Sequence, residues 1–170
     1  MTPTETNNTI TNIWNLLEEV NDPEVPVLSI LDLGIVRDVK INSSSPPVAK
    51  GEEQIEIIIT PTYSGCPAMD AISMDIKMKL LEHGYKDFKI TLTLSPAWTT
   101  DWMTENGKRK LQEYGIAPPK KMTDLSNTNP ECPQCKSDNT KLLSQFGSTA
   151  CKALYQCQDC KEPFDYFKCH

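Results

Sequence analysis

Four cysteines near the C-terminal end, Cys132, Cys135, Cys157 and Cys160, form two Cys-x2-Cys pairs separated by 21 residues. Each pair can turn two sulfurs toward one point. Together they offer four thiolates in the tetrahedral arrangement that Zn²⁺ takes. With every position filled by protein, such a site is closed and structural, not catalytic. The same ligands also serve an iron or iron–sulfur centre, and a redox dithiol is a further reading of either knuckle. Residues 141–146 and 153–156, between the knuckles, are strand-like, which makes the segment a zinc-ribbon arrangement. About forty residues hold too little apolar core to fold alone, so metal binding is expected to supply much of the module's stability. Cys151, Cys169 and His170 lie outside the knuckles. They read either as a small buried residue and a solvated tail, or as a second, softer metal site used transiently.

Cys66 stands apart, in Thr62-Tyr63-Ser64-Gly65-Cys66-Pro67 at the mouth of an expected helix. A thiol there meets the positive end of the helix dipole and free N–H groups, both of which favour thiolate. It can then ligate iron or zinc, carry a persulfide, or simply pack under the helix as a small buried residue. Asp22 and Glu24 approach the same place if the first helix packs beside the sheet; otherwise they are surface carboxylates that cap the next turn. Trp98 and Trp102, four apart after the last strand, form either a lid on the core or an exposed protein-docking patch. His83 reads as a dipole partner at a helix end. No Ser-His-Asp set, phosphate loop or dinucleotide fingerprint is visible. With two histidines in the chain, acid–base catalysis has little to work with, and an enzyme in its own right is not expected.

The elements that must position these residues follow from periodicity. Ile10, Ile13, Trp14, Leu17 and Val20 mark one face of a helix, which Asp22-Pro23-Glu24-Val25-Pro26 ends. Ser29 and Asp32 are spaced as a capping pair for a single helical turn stopped at Gly34. Strands are predicted over 35–41 and 54–60, joined by a polar loop over 42–53. A helix begins at Pro67, buries Met69, Ile72, Ile76 and Leu80, and ends at Gly84. Residues 88–94 alternate, with Phe88, Ile90, Leu92 and Leu94 facing in. Strand, helix, strand over 54–94 is a crossover, so those two strands are expected to be parallel. A further helix over 104–114 ends at Gly115, and Pro118-Pro119 opens a linker reaching about residue 130. The predicted fold class is α/β: a small α-β-β-α-β sandwich over 8–116, a linker over 117–130, and a zinc-ribbon module over 131–170.

The 17 basic and 23 acidic residues, a net charge of -6, argue against a nucleic-acid partner. No apolar run approaches the roughly 20 residues of a membrane helix. The first eight residues have neither a basic start nor an apolar stretch, so a secretory signal is not expected. These features predict a cytoplasmic protein whose thiols stay reduced and serve metal or reactivity rather than disulfides.

Asp22-Pro23-Glu24-Val25-Pro26, Asp32-Leu33-Gly34-Ile35-Val36 and Thr60-Pro61-Thr62-Tyr63-Ser64-Gly65-Cys66-Pro67 resemble the small domain shared by bacterial and eukaryotic iron–sulfur assembly factors, over about residues 12–95. Ser95-Pro96-Ala97-Trp98-Thr99-Thr100-Asp101-Trp102-Met103, Tyr114-Gly115-Ile116-Ala117-Pro118-Pro119 and the paired knuckles resemble the PaaD family. Its members are accessory proteins encoded with the multicomponent phenylacetyl-CoA epoxidase, the ring-oxygenating monooxygenase of aerobic phenylacetate degradation. The loop over 42–53 looks like an insertion in the usual compact hairpin. The resemblance implies a functional Cys66 with Asp22 as acidic partner, structural zinc on the four knuckle cysteines, and a transient iron or iron–sulfur cargo. It implies epoxidase subunits, oxygenase or reductase, as partners, and a homodimer is compatible with it. The reading is a non-catalytic maturation protein for a di-iron or iron–sulfur centre. A stoichiometric structural subunit of the epoxidase and a general iron–sulfur assembly factor are the alternatives, with a thiol-redox enzyme a distant further one.

Overall fold

The computed structural model describes residues 3–43, 53–120 and 129–168. The chain divides into two compact units, Met1–Trp98 and Thr99–His170.

In the first unit, helix α1 (Pro3–Glu18) precedes strands β1 (Val36–Ser43) and β2 (Glu53–Ile59), helix α2 (Ala68–Glu82) and strand β3 (Phe88–Leu92). The sheet order is β1-β2-β3, with β2 antiparallel to β1 and parallel to β3. The helical crossover between β2 and β3 dictates that parallel pairing. Ile57 sits at the centre, opposite Val39 on one side and Ile90 on the other. Ile55, Ile57 and Ile59 share one sheet face and are buried. Ile13, Leu16 and Leu17 from α1 and Met69, Ile72, Ile76 and Leu80 from α2 are buried with them. Each such side chain contributes about 1.5–3 kcal/mol relative to exposure. The other sheet face is polar around Glu56, which accepts hydrogen bonds from Thr91 Oγ1 at 2.6 Å and Asn42 Nδ2 at 3.1 Å.

Two details depart from the expected pattern. Leu16 joins the buried stripe of α1, whereas Ile10 and Trp14 are only half-buried. Leu92 and Leu94 are 55% and 60% exposed instead of facing in. β3 is an edge strand, so alternation sets the direction of its side chains without supplying cover over them. The polar loop predicted over 42–53 lies, from 44 to 52, outside the described residues.

The Ser29–Gly34 segment is a capped turn, not a full helical element. Asp32 N donates to Ser29 Oγ at 3.0 Å, and Ser29 N donates to Asp32 Oδ2 at 3.2 Å. Gly34 follows at φ 67°, in the left-handed region that glycine tolerates. Trp98 locks this turn from across the sequence. It is buried, and its indole N–H donates to the Leu33 carbonyl at 2.8 Å. Trp98 is therefore a lid on the core of the first unit, and its burial removes it from any docking patch.

The second unit begins with a 3-10 turn, Thr100–Trp102, in which Trp102 is half-buried, and continues into helix α3 (Glu105–Glu113). Thr104 Oγ1 caps α3 by accepting from Gly107 N at 2.9 Å. Strands β4 (Ile116–Ala117), β5 (Thr140–Ser144), β6 (Lys152–Cys157) and β7 (Pro163–Phe167) form one sheet in the order β4-β7-β6-β5. Here the expected boundaries change. The helix assigned to the first domain belongs to the unit that starts at Thr99. Residue 116, expected to end the first domain, and residue 117, expected to open the linker, instead pair with Asp165 and Tyr166 of β7. Burial of Ile116 and Ala117 favours sheet pairing over a free connection. The rest of the expected linker, from 121 to 128, lies outside the described residues. One buried cluster of the ribbon is small, consisting of Ala117, Cys132, Cys157 and Phe164 with Tyr155 and Tyr166 packed against it; Ile116, Ala153 and Phe167 of the same sheet are buried as well.

Candidate metal centre and the Cys66 site

Each Cys-x2-Cys segment bends back on itself in the same way. Cys132 N donates to Ser137 O at 2.8 Å, and Cys157 N donates to Glu162 O at 3.0 Å. The residue after the second cysteine is left-handed in both, Lys136 at φ 64° and Lys161 at φ 67°. Sequence reasoning missed these lysines, although the repeated Cys-x2-Cys-Lys pattern carries the signal. The four sulfurs end within 4.8 Å of one another. Cys132 and Cys160 are 3.7 Å apart, and Cys135 and Cys157 are 3.5 Å apart. A tetrahedron with Zn–S bonds of about 2.3 Å has edges of about 3.8 Å, so the donor set fits one such ion.

Electrostatics point the same way. The Cys160 backbone N–H, helped by that of Asp159, draws the Cys157 thiol down to about 7. The Glu162 N–H favours thiolate at Cys160, but desolvation and the three facing cysteines outweigh it and push that thiol up to about 12. Cys135 likewise has a favourable Ser137 N–H and is nonetheless raised, with Cys157 the main opposing neighbour. Four thiols this close cannot all ionise without a cation among them. Asp159 ties the knuckles together by accepting from Ser137 Oγ at 2.5 Å and Asn139 Nδ2 at 2.8 Å. Among the described residues this is the one cluster of three or more metal-ligating side chains. Cys151 is buried with its sulfur 3.0 Å from Thr149 Oγ1, while Cys169 and His170 of the suggested second site lie outside the described residues.

Cys66 is half-buried where the chain enters α2. Tyr63 O accepts from Cys66 N at 3.2 Å, and Cys66 O accepts from Met69 N at 3.3 Å, so the residue belongs to the helix entry itself. Its position at a helix start predicts a lean toward thiolate, and the opposite holds. Burial pushes it above the ordinary range, the charge of Glu24 adds to that, and the Ala68 N–H only partly compensates. Neutral thiol is thus the resting form. Because the folded state holds this proton more tightly than the unfolded chain, stability falls as pH rises from the ordinary thiol range through the Cys66 value. Glu24→Gln removes the opposing charge, so alkylation of Cys66 by iodoacetamide is expected to have its pH midpoint shifted downward. Peptide mass mapping of the zinc-loaded protein checks this; an unmoved midpoint would show that Glu24 does not act on the thiol.

Of the two parts expected of Asp22, the hydrogen bonds show the capping of the next turn, from a buried and not a surface position. Its Oδ1 accepts from Glu24 N and Val25 N, both at 2.8 Å. It thereby shapes the turn that presents Glu24, and Glu24 is the carboxylate felt at Cys66. Asp22→Ala strips two charge-assisted hydrogen bonds and is expected to cost about 2–3 kcal/mol in urea unfolding. Asp22→Asn, which keeps an acceptor oxygen, is expected to cost about half that. Thr60, in the loop leading to Cys66, is buried, and its hydroxyl is the buried side-chain polar atom left without a partner among the described residues.

Comparison with known proteins follows this two-part layout. Residues 10–93 match the family described as "Iron-sulfur cluster assembly protein", and residues 116–168 match "PaaD zinc beta ribbon domain". A protein of Escherichia coli (strain K12), named as a subunit of 1,2-phenylacetyl-CoA epoxidase, is 49% identical over 159 residues, covering 92% of this chain and 91% of its own. The chain belongs to the PaaD family. A "Fe-S protein maturation auxiliary factor" of Porphyromonas gingivalis (strain ATCC BAA-308 / W83) is 34% identical over 101 residues, 59% of this chain and 88% of its own. A DUF59 domain from Bacillus anthracis has the same fold at a TM-score of 0.54 and 24% identity, over 64% of this chain and 95% of its own. As a PaaD-family chain it therefore joins an assembly-type α/β domain to a four-cysteine ribbon. None of the helices in the described residues is long and apolar enough to cross a membrane.

Proposed function

We propose that this PaaD-family protein is a non-catalytic maturation factor for phenylacetyl-CoA epoxidase. It helps install or repair a metal centre, the di-iron site of the oxygenase or the iron–sulfur cluster of the reductase. The observation that carries the reading is a half-buried cysteine, Cys66, at the entry of α2 on an assembly-type domain. A cation arriving as cargo displaces the Cys66 proton to solvent and becomes the thiolate's partner. Glu24, which disfavours a bare thiolate, favours a thiolate–cation pair. That combination gives transient holding: the thiol is inert when empty and a ligand when loaded. Cys132, Cys135, Cys157 and Cys160 hold structural zinc, which stabilises the ribbon and takes no part in transfer. The setting is a reducing one, the cytoplasm, where these thiols persist.

The test is the metal content and activity of epoxidase produced with wild-type or Cys66→Ser protein. Full client metal with the serine variant would overturn the role of Cys66. The name of the Escherichia coli relative favours a second reading, a stoichiometric structural subunit. That reading predicts stable co-purification with the epoxidase and indifference to Cys66→Ser.

A further inference from the structure

Helix α2 is apolar on two opposite faces. Met69, Ile72, Ile76 and Leu80 form the buried one. Ala71, Met74, Met78 and Leu81 form the other, and they lie in solvent, with Met74, Met78 and Leu81 at 54%, 53% and 55% exposure. At about 100° per residue the centres of the two stripes are about 180° apart, so the outer one owes nothing to the core. Isolated exposed apolar residues need no explanation, but a contiguous strip of them does. Helix propensity gives no reason for it either, since Lys, Glu or Gln would serve about as well at these positions. The spacing is three, four, three, which is the seam a helix presents to another helix. Methionine suits such a seam because its unbranched thioether adapts to the partner's shape.

The flanks indicate the partner. Asp75 and Glu82 border the seam on one side, where a hollow of about 230 Å³ is lined by Met78 together with Glu19, Asp75, Lys79 and Glu82. Lys79 is engaged with Glu19 at 2.9 Å, and three carboxylates against one ammonium leave that wall negative. On the other side Asp70 and Lys77 offset one another. A second copy fits poorly, because a two-fold antiparallel pair of α2 helices sets each flank against itself and would face Asp75 and Glu82 with their own copies. We infer that the outer face of α2 is a docking seam for an amphipathic helix of a partner protein that carries Lys or Arg on the flank meeting Asp75 and Glu82. Helix α2 is about 22 Å long and begins next to Cys66, so a helix laid along it has one end near that thiol.

The experiment uses the zinc-loaded full chain and two fluorescent helical peptides of about 18 residues, long enough to be helical alone. Both carry the same Leu/Ala seam, one flanked by Lys and one by Glu. The Lys-flanked peptide is expected to bind at least about tenfold more tightly than the other, with the difference shrinking in salt. Met74→Glu with Met78→Glu is expected to weaken binding at least about tenfold, and Asp75→Lys with Glu82→Lys to reverse the preference. All four positions are exposed, so these variants should fold, which their melting temperatures check. Equal binding of the two peptides, or binding unchanged in the Met variants, overturns the proposal. So does sedimentation showing a wild-type dimer that Met78→Glu dissociates, because the seam would then belong to a second copy. Cys66→Ser is expected to bind as wild type, so failure of the seam and failure of the maturation reading are seen separately.

Discussion

Cys157→Ser is expected to release the ion and unfold the ribbon while the first unit keeps its fold. Cys157 is fully buried in the small core with Ala117, Cys132 and Phe164. Its thiol is drawn down to about 7, so it is ionised at neutral pH more readily than an ordinary cysteine. A serine hydroxyl neither ionises in this range nor matches a soft ligand set, and three sulfurs are left crowded without a cation. Structural zinc is worth about 10–16 kcal/mol in comparable small modules, against about 5–15 kcal/mol for the net stability of a whole domain. Four short strands over so few buried side chains cannot replace that. Zinc is expected to fall from one ion per chain to almost none. Amide protection should vanish in β5, β6 and β7 and persist at Ile57, Ile76 and Leu80. A strong chelator added to wild type should do the same, and zinc should reverse it. A zinc-free ribbon with protected amides would refute the structural role. Cys160→Ser is expected to be milder, since that exposed corner can be completed by water.

These two sites differ in how much of them the sequence reveals. The metal centre is legible because each knuckle is local: two sulfurs three residues apart and a tight backbone turn between them. The buried face of α2 is legible for a similar reason, since Met69, Ile72, Ile76 and Leu80 follow from helix period alone. Position 22 is nearly legible. Asp-Pro-Glu is a turn signal in which Asp22 hydrogen-bonds the backbone just ahead, so its carboxylate is already occupied. The Cys66 environment is of another kind. Its protonation depends on burial and on Glu24, 42 residues earlier, and no local rule ranks those against the helix end. Residues 116 and 117 join a sheet only because β7, nearly fifty residues later, offers a partner. Alternation along 88–94 gives directions for Leu92 and Leu94 but not their depth, which is a property of the sheet edge.

Epoxidase produced together with the Cys66→Ser variant is expected to carry about a tenth or less of its normal metal and activity when iron is scarce. The exchange replaces one sulfur with oxygen at a half-buried site, so stability should barely change, and an unaltered melting temperature will show that the fold is not the cause. What changes is ligand chemistry. The serine hydroxyl holds its proton far above neutral pH and is a poor ligand for iron or a cluster. Glu24→Gln separates the parts further. It keeps the thiol and makes it easier to ionise, yet removes the charge that favours a bound cation, so alkylation should quicken while client loading drops. A protein that served only as scaffold would show the reverse pattern: indifference at positions 24 and 66, and loss only when the ribbon is unfolded by Cys157→Ser. Excess iron should partly restore the client in the Cys66→Ser background, because an assembly factor raises the rate of loading without changing the affinity of the finished site. Restoration by iron together with normal association of the variant would place the defect at delivery.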